Sequence, residues 1–368
     1  MQFGVSRNSL LRELTFLQGI VEKKSTIPIL SNVLIENAGE GAISLVATDL
    51  DVSLQTECAA EISQPGSIVV AAKKLFDIVR NLPDAEISFA REDNDWVKVV
   101  CGSSQFRLVG QAKEHFPSTP KTDKAGLMIP SKVLHGLINR TIFAITQEES
   151  RYALSGSLLL CGEGRVQMVA TDGHRLALAS AKVEADRLAL RAIIPKKTLI
   201  ELARLTAGAE ADVEVSLDEN HLYFEIDSRH LTSRMLAGQF PNYDLVLPRN
   251  NDKTVTLNVD TITQAIRRAA LMTDERSHGV KIDLARGTLS ISAGSADVGE
   301  AREIIALDYS GEEVSIGFNA LYLLDFLGVV GADQVTVELK DEQSPALMKP
   351  SGDTEYDYQY VVMPVRLL

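Results

Sequence analysis

This chain repeats itself every 123 residues, and that period constrains the fold more than any other feature. Gly41-Ala-Ile-Ser-Leu-Val-Ala-Thr-Asp49 returns as Gly164-Arg-Val-Gln-Met-Val-Ala-Thr-Asp172 and again, more loosely, as Gly287-Thr-Leu-Ser-Ile-Ser-Ala-Gly-Ser295. Lys73-Lys74-Leu75 returns as Lys196-Lys197-Thr198, with Asn319-Ala320-Leu321 as the third counterpart. Near the end of each unit stand His115-Phe-Pro117, Gln239-Phe-Pro241 and Val362-Met-Pro364. Three such periods account for essentially all 368 residues. Length alone allows two or three domains; the repeat selects three, with boundaries at 1–121, 127–248 and 249–368. Polar, proline-bearing linkers at 117–126 and 248–253 fall between them.

Each unit carries two helix signals. Residues 8–17, 132–143 and 261–272 place apolar side chains at helical spacing, as do 73–82, 196–206 and 319–330. Ser9, Ser131 and Thr261 are candidate caps or first-turn residues of the first set. The remaining text is short, alternating or β-branched, as at 33–36, 42–47, 97–101, 105–109, 166–170, 213–216, 221–226, 288–292 and 335–339. Turn signals at 37–41, 161–164 and 218–220 join these runs. The predicted fold class is α+β: three repeated domains, each with two helices backed by antiparallel sheets.

Composition narrows the function. Apolar residues make up 45% and charged residues 24%, a globular balance. The longest unbroken apolar runs are five residues, at 68–72 and 320–324, so no membrane helix is expected. Residues 1–7 lack a signal-peptide layout, and Cys58, Cys101 and Cys161 are odd in number and widely spaced. Reduced thiols in the cytoplasm are the expectation, with no zinc site and no cofactor. The Gly-x-Gly pairs 39/41 and 162/164 belong to no phosphate-binding loop, and no carboxylate cluster suits two-metal chemistry.

The net charge of −13 argues, as a bulk figure, against nucleic acid. Its distribution argues the reverse. Counted over 7–17, 73–82, 131–142, 196–206, 260–272 and 319–330, the six helical segments hold twelve basic and five acidic residues, a net +7, which leaves −20 for everything else. Lys and Arg are good helix formers on any solvated face. Glu is equally good, yet it is scarce in these helices. A shared positive helical surface facing phosphates explains the bias, without base-specific readout.

Taken in order, Thr26-Ile-Pro-Ile-Leu30, Ala47-Thr-Asp-Leu50, Val169-Ala-Thr-Asp-Gly-His-Arg-Leu176, Ile194-Pro-Lys-Lys197, Gln239-Phe-Pro-Asn-Tyr243, Val246-Leu-Pro248 and Tyr360-Val-Val-Met-Pro-Val-Arg-Leu367 resemble the β subunits of bacterial DNA polymerase III, the β sliding clamps. The resemblance runs from end to end. It implies a head-to-tail homodimer closed into a ring around double-stranded DNA, bound without sequence specificity. It implies a non-catalytic processivity subunit of a DNA-directed DNA polymerase, a nucleotidyltransferase holoenzyme. Its implied partners are the polymerase III catalytic subunit, the clamp-loader complex, and other polymerases and repair proteins that dock through short peptide motifs.

The resemblance also carries site residues. A partner-peptide pocket maps onto Leu154, onto Thr171, Gly173, His174, Arg175 and Leu176, and onto Pro241 and Val246. Its other wall is the tail, Val361, Val362, Met363, Pro364, Val365, Arg366 and Leu367. An apolar free terminus of this kind is expected to dock as an edge strand, with Met363 as an adaptable contact. One of Val361 and Val362 is expected in the core. Leu245 stands where similar proteins often carry a basic residue, and Leu368 extends the tail. DNA contacts map onto Lys24, Lys73, Arg80, Lys196 and Lys197, with Arg151 and Tyr152 beside them. The sixth helix has no basic residue and is expected to attract DNA less. The dimer seam maps onto Phe106 and Leu108 of one subunit and Leu271 and Met272 of the other.

Two other readings fit parts of the text. A repeat adaptor would bind peptides and never touch DNA. An enzyme would use Asp172 and His174 as an acid–base pair, although no nucleophile or metal spacing accompanies them.

Overall fold

Apolar residues three and four apart decide where the helices form and which face they bury. In α1 (Arg7–Leu17) these are Leu10, Leu14 and Leu17; in α2 (Ala72–Asn81) they are Ala72, Leu75 and Val79. α3 (Ser131–Thr141) buries Leu134, Leu137 and Ile138, and α4 (Lys196–Thr206) buries Leu199, Leu202 and Leu205. α5 (Val259–Ala270) buries Ile262, Ala265, Ile266 and Ala269. α6 (Ala320–Leu327) buries Ala320, Leu323, Phe326 and Leu327. The computed structural model describes all residues except 23–25, 40, 149, 184–188, 275, 296–298, 353 and 367–368.

Ser9, Ser131 and Thr261 all fall in the first turns of their helices, as expected, and none is the cap itself. Ser9 lies inside α1, which starts after Ser6. Ser131 is the first helical residue of α3, and its hydroxyl donates to the carbonyl of Ala211. α5 is capped by Asn258, whose side chain accepts from Thr261 N at 3.0 Å, and α6 by Asn319, which accepts from Leu321 N at 2.9 Å.

The chain forms two compact units. The first comprises Met1–His135 with Lys197–Met235, the second Gly136–Lys196 with Leu236–Leu368. The middle repeat therefore contributes to both.

In the first unit one antiparallel path runs through nine strands, in the order 127–130, 212–217, 221–226, 229–234, 52–64, 2–6, 86–91, 97–101 and 104–108. Its central joint couples two repeats, strand Val52–Gln64 pairing with strand Arg229–Arg234. Ser53 lies opposite Thr232, and Gln55 opposite His230. The second unit has an eight-stranded sheet and a separate four-stranded one, ordered 299–306, 288–295, 279–285 and 314–319. In the larger sheet, strand Arg175–Lys182 pairs with strand Asp357–Val362. Leu176 lies opposite Val361, and Leu178 opposite Gln359. The two joints have the same register, displaced by one repeat. The 357–362 strand is also paired on its other side with Ala346–Pro350, so it is an interior strand, not the expected edge.

The first joint holds a buried ion pair. Glu13 of α1 is fully buried and accepts from Arg229 Nε at 2.9 Å and Nη2 at 2.7 Å, with the Thr56 hydroxyl and Arg12 completing its shell. The Arg229 guanidinium also lies over the Phe16 ring, 4.5 Å from its centroid. Burial pushes the Glu13 carboxyl up, but the hydrogen bonds from Arg229, Thr56 and Arg12 outweigh it and hold it below the ordinary glutamate value. The three cysteines are buried and unpaired, and burial pushes the Cys161 thiol up to about 12 and Cys58 up to about 11. Thiols held that far toward the protonated form are poor nucleophiles.

Candidate functional site

The Thr-Asp turn of the second repeat is built by its own side chains. The Thr171 hydroxyl donates to the Arg175 carbonyl at 2.6 Å and accepts from Gly173 N at 3.1 Å. Asp172 Oδ1 accepts from the backbone N–H groups of His174 and Arg175 at 2.9 and 3.0 Å. Gly173 has φ +89°, a left-handed conformation that favours glycine, and a Cβ there would stand 2.7 Å from Arg151 Nη1 and push that side chain aside. Arg151 Nη1 donates to the Asp172 carbonyl at 2.8 Å.

Arg175 anchors this turn from beneath. Its Nε meets Asp172 Oδ2 at 3.0 Å, Nη1 meets Asp325 of α6 at 2.6 Å, and Nη2 donates to the Phe143 carbonyl at 2.7 Å. The guanidinium is sandwiched between the Phe143 and Tyr322 rings. Burial works against its charge, but Tyr360, Asp325 and Asp172 outweigh burial and hold its pKa above the ordinary arginine value. With its side chain only 9% exposed and bonded at every edge, Arg175 holds the turn in place beside the expected pocket.

Beside the turn lies an apolar floor. Leu158, Val169, Leu176, Leu178, Ile193, Phe240, Leu347 and Val361 form one buried cluster, with Leu154, Tyr243 and Leu247 packed against its margin. Exposed apolar groups flank it: Leu245 at 82%, Val246 at 42% and Met363 at 38%. Pro241 and His174 are also exposed. The tail passes the turn, Met363 N donating to the His174 carbonyl at 2.9 Å and Val365 N to the Gly317 carbonyl at 2.8 Å. Pro364 and Val365 are half-buried and Arg366 is exposed.

Both Val361 and Val362 are buried. Alternation along the strand puts Val361 in the floor and Val362 on the opposite face of the sheet. Leu367 lies outside the described residues. Sequence reasoning missed Leu178, although it sits two residues after Leu176 on the same strand face.

The candidate DNA contacts divide. Lys73 and Arg80 on α2 are exposed; Arg80 lies over the Phe76 ring and reaches Asp77 at 3.4 Å. Lys196 is half-buried. Lys197 Nζ is committed to Asp49 and to the Ile20 carbonyl, which neutralises much of the charge expected to face phosphate. Tyr152 is 55% exposed. Arg151 is exposed but tied to the Asp172 turn and to Glu148. Lys24 lies outside the described residues.

The seam candidates lie at an open sheet end in one unit and just past a helix in the other. Phe106 and Leu108 belong to strand Ser104–Leu108, the last of the nine-strand path, and Phe106 is 37% exposed. In the other unit Leu271, just past α5, is 75% exposed, and Met272 is half-buried. Strand Gly299–Ala306 ends the four-stranded sheet with Ile304 63% exposed, a feature the sequence reading did not single out.

Known proteins match throughout. Family profiles for the DNA polymerase III beta subunit match as its N-terminal domain over residues 1–120, its central domain over 128–242 and its C-terminal domain over 244–366. The Beta sliding clamp of Pseudomonas putida is 38% identical and that of Caulobacter vibrioides 36%, each covering 100% of both chains. Among solved structures, the Pseudomonas aeruginosa sliding clamp bound to griselimycin superposes with a TM-score of 0.95 at 37% identity, and the Bacillus subtilis DNA polymerase sliding clamp with 0.94 at 28%, again over the whole of each chain.

Proposed function

Because the chain belongs to the DNA polymerase III β-subunit family and is a DNA sliding clamp by fold and function, we propose that two copies close head to tail into a ring around duplex DNA. The ring tethers the polymerase III catalytic subunit, is opened by the clamp-loader complex, and recruits other polymerases and repair proteins through the apolar floor beside the Asp172 turn. It works in the cytoplasm.

One observation carries the ring. Each repeat joins the next by pairing the strand after its Thr-Asp turn with the last strand of the following repeat, 52–64 with 229–234 and 175–182 with 357–362. In the third repeat the corresponding strand is Gly299–Ala306, and in the first repeat the corresponding last strand is Ser104–Leu108. Both are open edges. A joint that repeats within the chain and is left unfilled at both ends is a heterologous contact awaiting a second copy. Carrying the internal register across, Ala301 faces Phe106 of the partner subunit and Glu300 faces Arg107 of the partner subunit. Within its own chain Arg107 is already oriented by Glu92 at 2.7 Å and by the Trp96 ring.

The subunit itself performs no chemistry in this reading. Asp172 spends its carboxylate on two backbone N–H groups and Arg175, a turn-building role. DNA is held by diffuse attraction to α2 and its counterparts, which suits sliding.

Charge reversal separates the clamp from a peptide adaptor. Lys73→Glu with Lys74→Glu and Arg80→Glu changes only exposed residues. The clamp predicts weaker association with DNA and a log–log salt slope shallower by about 0.9 for each phosphate no longer neutralised. An unchanged slope with intact peptide binding favours the adaptor.

A further inference from the structure

The two joints within the chain share a register, a turn and a linker, yet their floors differ in chemistry. Asp49 caps its turn as Asp172 does, accepting from Asp51 N at 3.0 Å and from Val52 N at 2.6 Å. Phe116 before Pro117 is buried as Phe240 before Pro241 is. Under the first joint, Leu34, Val46, Val69 and Phe116 form a buried apolar cluster. The strand registers make these the counterparts of Leu158, Val169, Ile193 and Phe240. The deep half of the floor is thus common to both.

The upper half is not. Leu176, Leu178 and Val361 complete the floor at the second joint. Register places Ser53, Gln55 and Thr232 at those same three positions in the first. A cleft of about 170 Å³ lies at the first joint, lined by these three residues, the linker at 119–122 and Tyr223 among others. Tyr223 is the counterpart of Leu347, each facing its joint strand at the same register position. The first joint thus holds a cleft with hydroxyl and amide groups where the register of the other joint places aliphatic ones.

We propose that Ser53, Gln55 and Thr232 are what close the cleft of the first joint to the apolar peptides that dock at the second. The inference rests on the peptide-pocket reading above and goes beyond it by naming the residues that confine docking to one joint. Its physical basis is that a large apolar side chain seated there would strip water from the half-buried Gln55 amide and give it no hydrogen-bonding partner in return, over a surface that Ser53 and Thr232 make less apolar. On Leu176, Leu178 and Val361 it buries apolar surface against apolar surface.

The test is an exchange, read by titration calorimetry with acetyl-Gly-Ser-Leu-Leu-Phe-amide as probe. The unaltered chain is expected to bind one probe per subunit. Gln55→Leu with Thr232→Val, and the triple variant adding Ser53→Leu, are expected to bind two. Because Ser53 is buried and hydrogen-bonded to Thr48, the double variant keeps the test available should the triple one not fold. The reverse exchange, Leu178→Gln with Val361→Thr, is expected to weaken the single site about ten-fold or more, with circular dichroism confirming the fold. Folded first-joint variants that still bind one probe would overturn the proposal while leaving the pocket reading intact. No binding by the unaltered chain would instead remove the pocket reading itself.

Discussion

Arg229→Ala should destabilise the first unit by about 3–5 kcal/mol, the usual consequence of stranding one member of a buried ion pair. Glu13 would stay buried in α1 with only Thr56 and Arg12 to satisfy it. The other repeats show that the position does not need a charge. Counting from the aligned leucines and isoleucines of the helices, the counterparts of Glu13 are Leu137 and Ala265, both buried. Glu13→Leu combined with Arg229→Met should therefore recover most of the loss. Urea unfolding of the three variants measures both effects, and an Arg229→Ala variant as stable as the parent would contradict the reading.

The same pair sets a pH dependence. The folded Glu13 carboxyl lies below its ordinary value of 4.5, so its contribution is complete above that value and is lost as pH falls through the lower, folded one. With Arg229 removed, the upward push of burial meets less opposition, and this acid-side loss of stability should shrink.

Phe106→Asp should turn the dimer into folded monomers. Phe106 is 37% exposed in the single chain, so the fold does not depend on it. In the proposed ring it would enter a strand joint and be covered by the neighbouring subunit. A carboxylate taken out of water there without a partner costs about 3 kcal/mol or more, about a 100-fold weaker association. Sedimentation equilibrium over a concentration series reads the change directly. A parent chain that is monomeric throughout, or a variant that dimerises equally well, would contradict the seam.

The sequence shows its architecture because the repeat is written at positions that build turns and cores. Ala47-Thr-Asp49 and Ala170-Thr-Asp172 recur because the same side chains cap the same turn. The helices were readable from leucine spacing: α4 has its expected bounds of 196–206, and the others depart by up to three residues at an end, α5 and α6 starting where Asn258 and Asn319 cap them. Side-chain commitments were not readable. Lys197 and Arg175 look alike as exposed cations in the text, but each is held by carboxylates distant in sequence, Asp49 and Asp325. Nor does the string Val361-Val362 say which valine faces the floor; strand pairing decides that. Leu178 and the open edge at 299–306 were missed for the same reason, since a face or an edge exists only once the neighbouring strands are known.

The central claim is topological: the subunit stays on DNA because it encircles it. The most direct measurement is retention after loading by the clamp-loader complex onto nicked circular duplex, with half of the sample then cut once by a restriction enzyme. The ring predicts that the circular sample keeps the protein through gel filtration, while the cut sample loses it as the ring slides off the ends. Equal retention on circular and linear DNA, or equal loss from both, would contradict it.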